Sequence, residues 1–159
     1  MGDAIRTMQA KDVISAKLAS CYATIDGNRY LLMQAKKLEA KVEKDKQDVA
    51  ILGRTGKGHK AVGWNGTGSM TIYSNTSMFT KMLKTYKDTG ADFYFDIQVT
   101  NEDSTSAAGR QTIILKDCNL DSGVIAAFDA DGDWLEQDVD FTFEDFEMPQ
   151  MFSMLDGMQ

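Results

Sequence analysis

The stretch Asp92-Phe93-Tyr94-Phe95-Asp96-Ile97-Gln98-Val99-Thr100 sets Phe93, Phe95, Ile97 and Val99 on one side of an extended chain. Tyr94, Asp96, Gln98 and Thr100 fall on the other. Only a period of two sorts them this way, because a helix would scatter the apolar side chains around its circumference. The stretch predicts a strand with one buried face. Downstream, a polar link at Asn101–Gly109 leads to Arg110–Lys116, whose Thr112, Ile113 and Ile114 favour another strand. Asp121-Ser122-Gly123 predicts a turn, Val124–Phe128 a strand, and Asp129-Ala130-Asp131-Gly132-Asp133 the next turn. In the last predicted strand Leu135, Gln137, Val139, Phe141 and Phe143 alternate with Trp134, Glu136, Asp138, Asp140, Thr142 and Glu144, giving one apolar and one acidic face. The single proline, Pro149, falls after this strand, and the tail following Met151-Phe152 is expected to fray.

Upstream, Met78, Phe79, Met82, Leu83 and Tyr86 share one helical face, with Asn75 or Thr76 available as a cap and Gly90 as a stop. Gly63–Ser74 alternates Thr67, Ser69, Thr71 and Tyr73 with Gly68, Met70 and Ile72, which predicts a strand. Residues Lys44–Val62, with Gly53, Gly56 and Gly58, read as a long basic loop. Before it, Ala35, Leu38 and Val42 could line a helix, but a helix would stack Lys37 on Lys41 and Glu39 on Glu43. A strand instead sets Leu38, Ala40 and Val42 opposite Lys37, Glu39, Lys41 and Glu43, and is preferred. Tyr22–Ile25 and Tyr30–Met33, joined by Asp26-Gly27-Asn28, predict a hairpin.

The expectation is therefore a mainly β chain with one α-helix, folded as a small barrel or sandwich. One domain over residues 1–159 is expected, with 1–19 and 153–159 flexible or peripheral. Such a sheet must pair or cover its edges, since open edges template association with other chains. The formal charge of −7 opposes nonspecific attachment to nucleic acid. It is compatible with a conduit along which DNA slides without sticking. The opening residues are too polar for a signal peptide, no apolar run is long enough to span a bilayer, and Arg6 stands where a myristoylation signal at Gly2 needs Ser or Thr. Cys21 and Cys118 are too few for a disulfide framework and are expected as buried thiols.

Several motifs fail on spacing. Gly53-Arg54-Thr55-Gly56-Lys57-Gly58 resembles a phosphate loop, but a Walker motif needs Gly at position 51, where Ile stands, and Ser or Thr after Lys57. Asp129–Asp133 has alternating carboxylates, yet an EF-hand would need Gly at Trp134 and Glu at Asp140, so a turn is the better reading. His59 is the only histidine, and no nucleophile–base pair or metal cluster can be assembled from spacing. Asn65-Gly66-Thr67 and Asn75-Thr76-Ser77 match the glycosylation pattern but suit turn and cap chemistry. Met78 and Met82 read as core filler. No catalytic, cofactor or metal site is expected, and the chain is read as a non-enzyme.

Val42-Glu43-Lys44, Gly53-Arg54, Gly58-His59-Lys60, Gly63 with Asn65-Gly66-Thr67-Gly68, Tyr73 with Thr76-Ser77, and Phe79 occur in a recognisable order. With the closing Phe141-Thr142-Phe143-Glu144-Asp145-Phe146-Glu147 and Pro149, they resemble the tail tube family of PBSX-type prophages, the XkdM-like core tail proteins of contractile tails. The resemblance covers Tyr22 to Phe152. It implies a β-barrel-like virion structural protein that self-assembles as hexameric rings stacked into the inner tail tube, a conduit for DNA or effector. The implied partners are the tail sheath, tape-measure and baseplate proteins, with no membrane and no specific DNA binding. The implied location is the host bacterial cytoplasm during assembly and the virion tail, or a phage-like particle, afterwards.

On this reading the loop residues Lys44, Lys46, Arg54, Lys57, His59 and Lys60 meet the neighbouring subunit and ring. Lys37, Glu39, Lys41 and Glu43, or the polar face of 134–144, are candidates for the lumen. The residues alone leave open a monomeric barrel holding an apolar ligand and a carboxylate-based hydrolase. The resemblance leaves open a bacteriocin or type VI secretion-like tube.

Overall fold

A computed structural model describes residues 6–158. Gly2 and the rest of 1–5 lie outside the described residues, as does Gln159 of the 153–159 tail. The hairpin of β1 (Ala19–Ile25) and β2 (Asn28–Leu31) turns through Asp26 and Gly27, at φ of 51° and 78°. This positive-φ pair matches the twist of the flanking strands. β3 (Ala35–Val49) and β4 (Gly58–Tyr73) form a much longer hairpin, followed by α1 (Met78–Thr89). β5 (Phe95–Glu102), β6 (Arg110–Gly123), β7 (Glu136–Phe143) and β8 (Asp145–Gln150) complete one antiparallel sheet. Its order is β2-β1-β5-β6-β7-β4-β3, with β8 also on β6.

The sheet curls around a core of Ala23, Met70, Ile72, Ile97, Leu115, Val139 and Phe141, with Phe79 and Met82 of α1 closing one side. The expected strand at 92–100 is β5, displaced to 95–102, and Phe93 packs on the core from just outside it. The expected helix is α1. Thr76 Oγ1 accepts from Met78 N at 3.4 Å, and Gly90 at φ 75° donates its N–H to the Tyr86 carbonyl and ends the helix. Met82 is buried and Met78 packs on the same core, so both are filler as expected.

The two ends of the sheet approach each other without pairing. A cleft of about 490 Å³ separates them, with Cys21 and Leu31 on one side and Lys36 and Leu38 on the other. The result is an incomplete barrel whose two ends are the free edges of β2 and β3, with β8, paired to β6 alone, leaving a further edge open.

Several sequence expectations need correction. Lys44–Val62 is not a loop, because β3 continues to Val49 and β4 starts at Gly58, leaving only 50–57 as the connection. The two-stranded projection has water on both sides, so its residues show no buried period to read. Val42, expected in the core, lies where this projection begins and is exposed. Asp121-Ser122-Gly123 is the end of β6, and Val124–Phe128 forms no strand; its side chains are exposed. The strand expected as the last, over 134–144, is β7, which runs only from Glu136 to Phe143, and a further strand, β8, follows it through Pro149. β8 pairs with β6 alone, and Pro149 falls where the register skips between Thr112 and Ile114, so its missing N–H removes no ladder bond.

Candidate assembly surfaces

Cross-strand register puts the two proposed lumen sets on one face. Lys37, Glu39, Lys41 and Glu43 of β3 lie beside Thr71, Ser69, Thr67 and Asn65 of β4. Thr71, Ser69 and Thr67 in turn lie beside Asp138, Asp140 and Thr142 of β7. Paired residues share a face of the sheet, so these rows form one polar surface behind the core. Thr71 donates to Asp138 at 2.7 Å, Ser122 donates to Asp140 at 3.2 Å, and Lys41 pairs with Glu43 at 3.0 Å. Four carboxylates, Glu39, Glu43, Asp138 and Asp140, face two lysines, which leaves the surface acidic.

At its rim Lys36 Nζ donates to Glu136 at 2.8 Å, and the Trp134 indole N–H donates to the same carboxylate. These hydrogen bonds, Lys36 first, hold Glu136 below the usual carboxylate range. Trp134 therefore sits at the edge of the face beside Tyr73, their ring centroids 6.3 Å apart.

The opposite side of the same strands explains the glycines. Gly66 and Gly68 of β4 stand opposite Phe143 and Phe141 of β7, whose rings occupy the space their side chains would fill. A Cβ on Gly68 would fall 2.4 Å from the Phe141 ring, and one on Gly66 2.5 Å from the Phe143 ring. The glycines are thus slots for aromatic rings.

Beyond Gly66 the β3–β4 hairpin leaves the sheet as an arm. Trp64 anchors its root against Phe143 and Phe146, with centroids 6.3 and 6.1 Å apart. The proposed contact residues are strung along the arm and do not converge on one spot. Lys44 and Lys46 lie on β3, His59 and Lys60 on β4, and Arg54 and Lys57 at the tip. His59 Nδ1 lies 2.9 Å from Asp48, its cross-strand partner. The tip also carries Ile51 and a fully exposed Leu52, which the loop reading passed over because short apolar runs inside a charged stretch carry no period.

A further contact had no signal in the sequence. Asp103 is buried and accepts from the backbone of Ser15 at 3.1 Å and from both N–H and hydroxyl of Thr105. The Thr105 hydroxyl leads the hydrogen bonds that lower the Asp103 pKa. Asp12 accepts from Ala107 N, and Ser106 donates to the Asp12 carbonyl. The segment before β1 is thereby tied to the 103–108 loop. Burial raises the thiol pKa of half-buried Cys21 to about 11 and of fully buried Cys118 to about 12.

The described residues therefore present an incomplete barrel, unpaired strand edges on β2, β3 and β8, an acidic sheet face and a projecting arm. The family described as "Phage tail tube protein" matches residues 6–150. The chain belongs to the phage tail tube protein family. It is 40% identical over 146 residues to the phage-like element PBSX protein XkdM of Bacillus subtilis strain 168, covering 92% of this chain and 97% of that protein. It is 41% identical over 143 residues to YqbM of the same organism, across 90% and 95% of the two chains.

In fold, this tail tube protein is similar to a chain of the sheath–tube complex of the extracellular contractile injection system PVC in its extended state. The TM-score is 0.64 at 11% identity, covering 89% of this chain and 94% of that one. The strand edges and the aromatic slots thus belong to a structural tube subunit, and the resemblance in the closing Phe141–Glu147 run falls on β7, its turn and β8.

Proposed function

We propose that this tail tube protein forms hexameric rings that stack into the inner tube of a contractile tail, a passive conduit for DNA or effector without catalytic chemistry. The observation that carries this reading is the pair of free edges, β2 and β3, at the two ends of one curled sheet. Joining such edges between copies extends the sheet around a ring and removes the exposed ladder groups of both.

The acidic face of β3, β4 and β7 then lines the lumen, with Lys37, Glu39, Lys41 and Glu43 on one strand and Asp138 and Asp140 two strands away. Its net negative charge disfavours adhesion of a phosphate backbone. The arm, with Lys44, Lys46, Arg54, Lys57, His59 and Lys60, reaches the neighbouring subunit and ring. The outer surface meets a sheath protein, and tape-measure and baseplate proteins set length and origin. Assembly takes place in the host bacterial cytoplasm, and the mature location is the tail of a virion or phage-like particle. The whole of 1–159 serves as one tube domain.

Negative-stain and cryo-electron microscopy of concentrated protein, and of tails containing it, test this. Hollow six-fold tubes of constant diameter are expected, with the 37–43 row and Asp138 and Asp140 on the inner wall. A persistent compact monomer that forms no ring even in tails would refute it.

A further inference from the structure

The arm tip and the segment preceding β7 lie at opposite ends of the same ribbon. Tyr73, the last residue of β4, pairs with Glu136, the first of β7, and Ser74 N donates to the Leu135 carbonyl at 2.9 Å. Residues 124–135 therefore emerge at the end farthest from the tip. β4 has 16 residues, which puts these two poles about 50 Å apart at roughly 3.3 Å per residue.

The poles are opposite in charge and alike in exposed apolar surface. From Lys44 to Lys60 the arm carries five basic side chains against two acidic ones, whereas 124–135 carries Asp129, Asp131 and Asp133 and no basic residue. Neither Arg54 nor Lys57, nor any of these three aspartates, has an ion-pair partner among the described residues. At the tip Leu52 projects wholly into solvent, and at the far pole Phe128 is 95% and Ile125 76% exposed. Phe128, Trp134 and Leu135 wall a shallow cleft of about 410 Å³ that also holds Asp129 and Asp133. Apolar groups this exposed, rimmed by charge of one sign, mark an interaction surface.

Resting on the stacked-tube reading, we propose that the arm tip of one subunit seats in this cleft of a second copy, Leu52 against Phe128 and Arg54 and Lys57 against Asp131 and Asp133. A contact between two different patches of the same chain is heterologous. When its operator carries a translation it propagates instead of closing, which is what joining ring to ring requires. The acidic seat also explains why the arm is basic in a chain of net charge −7. Opposite poles favour head-to-tail approach and penalise tip against tip. The cleft at the barrel seam is a poorer seat, since Lys36 and Lys37 line it and repel the basic tip.

Paired cysteines test the seat. Leu52→Cys with Phe128→Cys should give a ladder of covalent oligomers when assembled protein is oxidised, because a disulfide forms only when the two Cα atoms come within about 7 Å. Each single variant, and Leu52→Cys with Met33→Cys at the seam, should give none. Arg54→Glu/Lys57→Glu and Asp131→Lys/Asp133→Lys should each raise the protein concentration needed for assembly at least about tenfold, and their combination should restore it to within about threefold. Circular dichroism on each variant separates failed assembly from failed folding. Tubes in micrographs without the Leu52–Phe128 ladder, or a ladder formed through position 33, overturn the seat and leave the tube reading standing. Wild-type protein that forms neither rings nor tubes overturns both.

Discussion

Replacing Gly68 by alanine tests whether β4 and β7 are locked by rings lying across glycine. On an open strand surface the change would stabilise the protein by about 0.4–1 kcal/mol, because alanine loses less backbone freedom on folding. At Gly68 the added Cβ meets Phe141 Cζ at 2.4 Å and Cε2 at 2.7 Å, well inside van der Waals contact. Phe141 is 1% exposed, so its ring has nowhere to retreat without displacing Met70 and Val139. Overpacking of this kind costs about 1–3 kcal/mol, which exceeds the entropic gain and sets the sign. Urea denaturation of the unassembled subunit should show a lower midpoint at unchanged slope.

Two companions sharpen the test. Gly63→Ala, whose Cβ would have only Asp45 Oδ2 nearby, at 3.9 Å, should be neutral or stabilising. Phe141→Leu should make the Gly68→Ala penalty smaller, with a coupling of about 0.5–3 kcal/mol in the double-mutant cycle. If Gly68→Ala is as stable as the parent, or if its effect adds to that of Phe141→Leu, the ring-over-glycine account is wrong.

Trp64→Ala should loosen the arm at its root, raising amide exchange over 44–63 while β5 and β6 keep their protection; unchanged exchange would show that the ladder alone holds the arm. Hydrogen bonds, led by the Thr105 hydroxyl, hold the folded Asp103 pKa below the ordinary aspartate value, so its contribution is present above that value and is lost as pH falls through the lower folded pKa. Acid should therefore free the Ser15 region before the core, and Asp103→Asn should free it at neutral pH, read by limited proteolysis. Cys21 and Cys118, at about 11 and 12, should resist thiol reagents at pH 8 until the chain is unfolded. Rapid labelling of native Cys118 would contradict its burial, and rapid labelling of half-buried Cys21 would contradict its raised pKa.

Strands with one wet and one dry face were legible in the sequence. β5, β7 and the inner half of β4 each bury alternate residues, and α1 carries its apolar stripe between a cap and Gly90. The arm was not legible, because the outer halves of β3 and β4 have no dry face and are held by ladder bonds and cross-strand pairs such as Asp48–His59. Val124–Phe128 misled in the opposite direction, being apolar enough for a strand yet lying exposed and unpaired. β8 was hidden by Pro149, which pairing tolerates only because it falls on a register skip. Of the candidate surfaces, the 37–43 row could be read from alternation. Its union with Asp138 and Asp140 could not, since register between strands far apart in sequence is a tertiary property. The tie between Asp103 and the segment before β1 depends on residues 88 positions apart and left no local trace.

β6 has one further consequence, for the order in which the chain can fold as it is synthesised. Its first half pairs with β8 and its second half with β7, while β5 runs along its other edge. The β3–β4 hairpin can zip as soon as Tyr73 is made, but its inner edge stays open until β7 arrives some sixty residues later. The β2-β1-β5 half likewise waits for β6. A nascent chain thus holds two unfinished half-sheets until its last quarter emerges, and a subunit cut short before β7 leaves the inner edge of β4 and the slots at Gly66 and Gly68 unfilled. Such a fragment is a target for chaperones and proteases before it can poison a growing polymer.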